Sequence, residues 1–196
     1  MPEFSAYSSL LFIHVISAIV LLGSTMYAPL ARGLVRNARS ATDLRTSLDL
    51  ARRATKWNPA AAFALLGTGI YLGSIGWWAQ EWFYVAITAW VANTVLAIAV
   101  INRAEERMAR LARNAGDGPI TAELDALRRS ATWSLAHAVM LANDLAMVYV
   151  MYTKPALSGS LALVMSANVL ALAAAFAQQL ASGSRAPAPD ARTVSA

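Results

Sequence analysis

Five apolar stretches, residues 6–28, 57–76, 82–101, 131–152 and 158–181, are each long enough to cross a bilayer as a helix, which takes about 20 residues. No other feature constrains the chain as much. A bilayer core holds no water to satisfy backbone groups, so a spanning segment is either a helix or a strand of a closed barrel. Alternation of the length that a barrel strand needs is absent from the sequence, which leaves helices. The first stretch has no basic flank before it and is too long for the apolar part of a cleaved leader, so it reads as a retained span. The expected fold class is all-α: an integral membrane bundle of five transmembrane helices within residues 1–181. A Ser-, Ala-, Pro- and Arg-rich tail at 182–196 is expected to be disordered.

Composition agrees. Only 14% of the 196 residues are charged, against about 25% in soluble domains. The absence of cysteine excludes disulfides, thiolate metal sites and cysteine nucleophiles. The positive balance, 16 Lys and Arg against 11 Asp and Glu, invites a nucleic-acid reading until the bases are located. Seven lie between the first and second spans (Arg32 to Lys56), six between the third and fourth (Arg103 to Arg129), and two in the tail. One base, Lys154, is left for the other side. With five crossings the fifteen share one face, which the positive-inside rule makes cytoplasmic. The N-terminus is then outside, the C-terminus cytoplasmic and the location a bacterial inner membrane. The partner implied is the lipid bilayer, with a homodimer or larger membrane complex as a further expectation and no nucleic acid.

The loops carry their own signals. Thr42 can cap a short helix that turns Leu44 and Leu48 inward, and Asn58-Pro59 marks entry to the second span. Residues 103–113 continue the third span in helical register, with Glu106 and Arg110 at pairing distance. The segment from Asn114 to Pro119 breaks that helix. Thr121 caps the next one, which is expected to run unbroken into the fourth span.

Within the spans, polar residues carry the information, because a charge at the helix centre costs about 2.5–3.5 kcal/mol on insertion scales. The acidic and imidazole exceptions are His14, His137 and Asp144, joined by Asn93, Asn143 and Asn168. His14 and Asp144 each lie about 12 Å from the same membrane face, at 1.5 Å per residue. They are candidates for a buried pair, with separate bonds to Ser, Asn or backbone as the alternative. His137 shares a helix face with Met140, Asp144, Met147 and Met151. Soft-metal binding by His137 and Met140 is one reading of that stripe, and core packing by flexible methionines is the other. The two histidines differ in depth by roughly 10 Å, which disfavours one haem held between them. Gly69 and Gly73 form a GxxxG pattern for close helix approach. Trp77, Trp78, Trp82 and Tyr84 sit where an aromatic belt belongs.

The run from Leu11 through His14 to Gly23, followed by Met26-Tyr27 and Arg32, resembles a group of small bacterial membrane proteins. The group includes the copper-resistance D family and a family known only as predicted integral membrane proteins of unknown function. Membrane-type protoporphyrinogen oxidases are similar at a greater distance. The segment from Asp144 through Met147 to Lys154-Pro155 resembles the uncharacterised family most. The oxidase likeness implies haem b as a cofactor and His14 as its ligand. No nucleophile constellation or phosphate loop accompanies these residues. The leading expectation is therefore a non-catalytic accessory or structural membrane protein with a buried His/Asp polar site. A haem- or porphyrin-linked redox protein and a small metal-ion or proton carrier are the alternatives.

Overall fold

The computed structural model describes residues 5–183, and among them every regular element is helical. The elements are α1 (Ala6–Asn37), α2 (Ala41–Ala54), α3 (Asn58–Ser74), α4 (Glu81–Leu96), a π-helical turn (Ala97–Asn102), α5 (Arg103–Asn114), α6 (Ala122–Arg128), α7 (Ala131–Thr153) and α8 (Leu157–Gly183). Four stretches are long and apolar enough to span a membrane: Ala6–Asn37, Glu81–Asn114, Ala122–Thr153 and Leu157–Leu180. The second apolar stretch forms α3, which at 17 residues is just short of the roughly 20 that a perpendicular crossing takes. The tail expected to be disordered lies, from residue 184 onward, outside the described residues.

Within the spans, α1 packs on α3, and α7 lies between α8 and α4. Their outward faces carry large apolar side chains that the other described residues leave exposed, such as Phe12, Phe63 and Met165. In water such a surface would drive aggregation; in lipid it is already solvated. The chain is an integral membrane protein with several spanning helices.

A different kind of packing holds the end of the bundle where the basic loops lie. There Val35, Leu44, Leu48, Met108, Leu124 and Trp133, from five helices, form a buried core. These residues leave an aqueous layer, so burial of each large side chain contributes about 1.5–3 kcal/mol. Leu44 and Leu48 point inward as expected, but the cap of α2 is Ser40, whose Oγ accepts from the Asp43 amide at 3.1 Å. Thr42 instead donates to Asp117 at 2.8 Å. Thr121 caps α6. The helix does not continue into the fourth span, because it stops at Arg128 and Ser130 starts α7 with a fresh cap. The arginine pairs of this region include Arg107 with Glu123 at 2.6 Å, and Arg128 and Arg129 with Asp125.

Gly69 and Gly73 are both used inside the chain. A Cβ at Gly69 would lie 3.2 Å from the His14 ring, and one at Gly73 would overlap Phe83. The aromatic cluster is real: Trp77, Trp78, Trp82, Phe83 and Tyr84 stack edge-on or tilted, with centroids 5.3–6.5 Å apart.

The π-helical turn has a geometric effect. Twelve residues of regular helix would place Glu105 about 120° round the axis from Asn93, at 100° per residue. A π turn takes in one extra residue and so removes about 100° of that offset. Asn93 and Glu105 consequently both meet α7, at Asp144 and at His137.

Candidate functional site

Four of the six polar residues singled out within the spans form one hydrogen-bonded ladder across the bundle. Asn168 on α8 donates to Asn143 on α7 (2.6 Å), which donates to Asn93 on α4 (2.9 Å), which donates to Asp144 on α7 (2.7 Å). Every amide donates in the same direction, so their dipoles add and the ladder ends on the carboxylate. Asn93 spends its second N–H on the Met140 carbonyl, at 3.3 Å.

The other carboxylate oxygen of Asp144 meets Thr25 on α1, at 2.5 Å. Thr25 has one hydroxyl proton but two close oxygen neighbours, Asp144 Oδ2 and the Leu21 carbonyl at 2.6 Å. The hydroxyl donates to both acceptors, a shared bond that ties Asp144 of α7 to α1.

His14 does not pair with Asp144. Its Nδ1 meets Thr68 Oγ1 on α3 at 3.0 Å. Thr68 sends its own proton to the Ala64 carbonyl at 2.6 Å, so its oxygen accepts and His14 Nδ1 donates. In the neutral ring this leaves the lone pair on Nε2. Gly69 makes room for the ring.

His14 and Asp144 nevertheless line one cavity, of about 310 Å³. Its remaining wall is apolar and aromatic, including Trp82, Phe83, Trp90, Met147 and Met151. Lys154 closes the end far from the basic loops, its Nζ 4.9 Å from the Trp77 ring centroid and 5.9 Å from that of Trp82. Val15, Ile70 and Val148 also line the cavity, yet each is more than 40% exposed. The cavity therefore opens sideways, toward lipid.

The methionine stripe of α7 divides. Met147 and Met151 face this cavity, whereas His137 turns toward α5. His137 Nδ1 meets the Trp133 carbonyl at 2.9 Å, and Nε2 lies 3.9 Å from Glu105 Oε1. The two histidines thus have separate surroundings. Among the described residues no three His, Cys, Asp or Glu side chains are grouped to hold a metal ion. Three participants were not anticipated: Thr25, Thr68 and Glu105.

No curated protein and no solved structure matches the chain. Residues 8–155, which run from the start of α1 to the Pro after α7, match the family described as predicted integral membrane protein (DUF2269), and the chain belongs to that family.

Proposed function

We propose that the chain is a membrane-embedded binding protein that takes a lipophilic ligand from the bilayer into the cavity beside His14. It crosses a bacterial inner membrane five times with the N-terminus outside. The fifteen-to-one distribution of bases supports that orientation. One observation carries the ligand reading: the imidazole is held by Thr68 with Nδ1 as donor, which leaves a bare Nε2 in an apolar cavity. A histidine that donates its second ring N–H to a fixed partner is the arrangement of a metal-ligating imidazole.

The ligand class that this donor favours is a metalloporphyrin, which His14 would hold. Haem fits the donor set and the aromatic wall. The cavity is at the small end of the range for ligand sites, and its lipid-side opening lets a larger ring extend into the bilayer. Bound haem would supply a redox-active iron. The chain's own residues hold the imidazole, exclude water with Trp82, Phe83 and Trp90, and present a cation at Lys154 for an anionic edge. Asp144, bonded by Thr25 and Asn93, forms part of the polar wall of the cavity.

The accessory or structural role has its own support, because the ladder uses each of its amides to join helices and needs no ligand. An absorption spectrum of detergent-purified protein separates the two. The binding reading expects a Soret band, or its appearance on adding haemin, with loss in His14→Ala and weakening in Thr68→Val. A colourless protein that ignores haemin, or a band indifferent to His14→Ala, refutes it.

A further inference from the structure

At the basic end of the bundle a second polar centre stands apart from the cavity. His137 is 8% exposed, and its ring nitrogens can be assigned from their neighbours. The Trp133 carbonyl can only accept, so Nδ1 carries the hydrogen and donates to it at 2.9 Å. In the neutral ring Nε2 is then a bare acceptor. The group facing it, 3.9 Å away, is Glu105 Oε1, also an acceptor when ionised. Two lone pairs confronting each other inside a protein repel, and one added proton turns the contact into an attraction between opposite charges or toward an N–H or O–H donor.

We infer that His137 and Glu105 form a proton-loading site, a buried imidazole facing a half-buried carboxylate, that takes one proton from water at the basic end of the bundle and holds it on Nε2 or Oε1. In this step water at that end gives up H⁺, one N–H or O–H bond forms on the pair, and the charge of the pair rises from −1 to 0. Nothing is oxidised or reduced. The surroundings suit reversible loading. Arg32 of α1, bonded through Nη1 to the Ser134 carbonyl at 2.9 Å, is the cation that faces His137 from that helix. Arg52 of α2 is the cation that faces Glu105. The Trp133 ring stands edge-on to the imidazole, 5.2 Å between centroids, and fixes its plane. The π turn aims Glu105 at this spot. Seven residues further along the same face of α7, about 10 Å at 1.5 Å per residue, stands Asp144, a second titratable group, bonded by Thr25 and Asn93.

The test uses the full chain in lipid nanodiscs with ¹⁵N-labelled histidine rings. The sequence contains only two histidines, so a His14→Gln background leaves the signal of His137 alone. Between about pH 5 and 8, Nδ1 is expected to stay protonated while Nε2 passes in one step from bare to proton-bonded. Glu105→Gln, whose amide can donate to Nε2 permanently, removes that step from the window, and Glu105→Asp keeps it. The inference is overturned by an Nε2 that gains no proton anywhere in the window, or by a step that survives Glu105→Gln unchanged. If Glu105→Gln does not fold, the spectra of the unsubstituted glutamate decide by the first criterion, and Glu105→Asp by whether the step persists. Haem or any other ligand in the cavity is not needed for this readout.

Discussion

Replacing Asn93 by Leu removes the middle of the polar ladder at nearly constant volume. Asn93 is 7% exposed and makes three bonds, donating to Asp144 Oδ1 and the Met140 carbonyl and accepting from Asn143. Bonds of this kind inside membranes average about 0.6 kcal/mol each, so the loss should come to about 2 kcal/mol. The added methyl groups return little, because a side chain facing other helices gains no transfer energy that lipid would not already provide. The assay is reversible unfolding in bicelles, read as the free energy for Asn93→Leu, Asp144→Leu and the double variant. Asp144→Leu removes a costly acid and so shifts stability by itself. The coupling between the two sites isolates their direct bond and should be about 0.6–1.7 kcal/mol. Effects that add within about 0.3 kcal/mol, the scatter of independent sites, would refute the ladder as an energetic unit.

Two further outcomes follow from other parts of the fold. Gly73→Ala pushes a methyl into Phe83 and should cost about 1–3 kcal/mol. Gly67→Ala, with nothing within 4 Å, should be neutral or stabilising by up to about 1 kcal/mol; equal effects in the same unfolding assay would contradict the packing. At Asp117 the Thr42 hydroxyl, followed by Arg45, holds the carboxyl below the usual carboxylate range. A lowered folded-state value means the contact contributes above the unfolded value of about 3.9 and is lost as pH falls through the lower folded one. A ¹³C carboxyl titration should therefore show Asp117 ionising below its ordinary range and moving back up in Thr42→Val. A midpoint that Thr42→Val leaves unmoved would remove the hydroxyl as the cause.

Much of the bundle is readable from hydropathy because lipid imposes a length and an apolar composition on any helix that crosses it. The ladder residues stand out for the related reason that an amide or acid in such a helix is costly without a partner. The threonines escape that reading. Thr25 and Thr68 each bond the carbonyl four residues back, so any Thr in a span can satisfy itself, and nothing local marks these two as contacts of Asp144 and His14. Glu105 is hidden differently. Between Arg103 and Arg107 it looks like one more charge on a solvated helix, and only the π turn brings it against His137. The break before α7 is missed because residues 122–153 contain neither Gly nor Pro, the usual punctuation. Ser130 restarts the helix through a cap alone. Equal depth suggests a His14–Asp144 pair, but depth says nothing about azimuth. Each residue found a threonine on a different helix.

The C-terminal carbonyl of α1 also bears on how the chain is made. Arg128, 7% exposed, reaches back to the Ala38 carbonyl at 2.7 Å while pairing with Asp125 at 2.6 Å. Ninety residues separate donor and acceptor, which at about 5–20 residues per second is a wait of several seconds or more during synthesis. Throughout that interval α3 and α4 are emerging and entering the bilayer, and the loop-end core around Val35 has neither Leu124 nor Trp133. The helix α1, inserted before α3 and α4, is thus finished after them, and a ribosome that stops before Arg128 releases a chain whose α1 has no closed end.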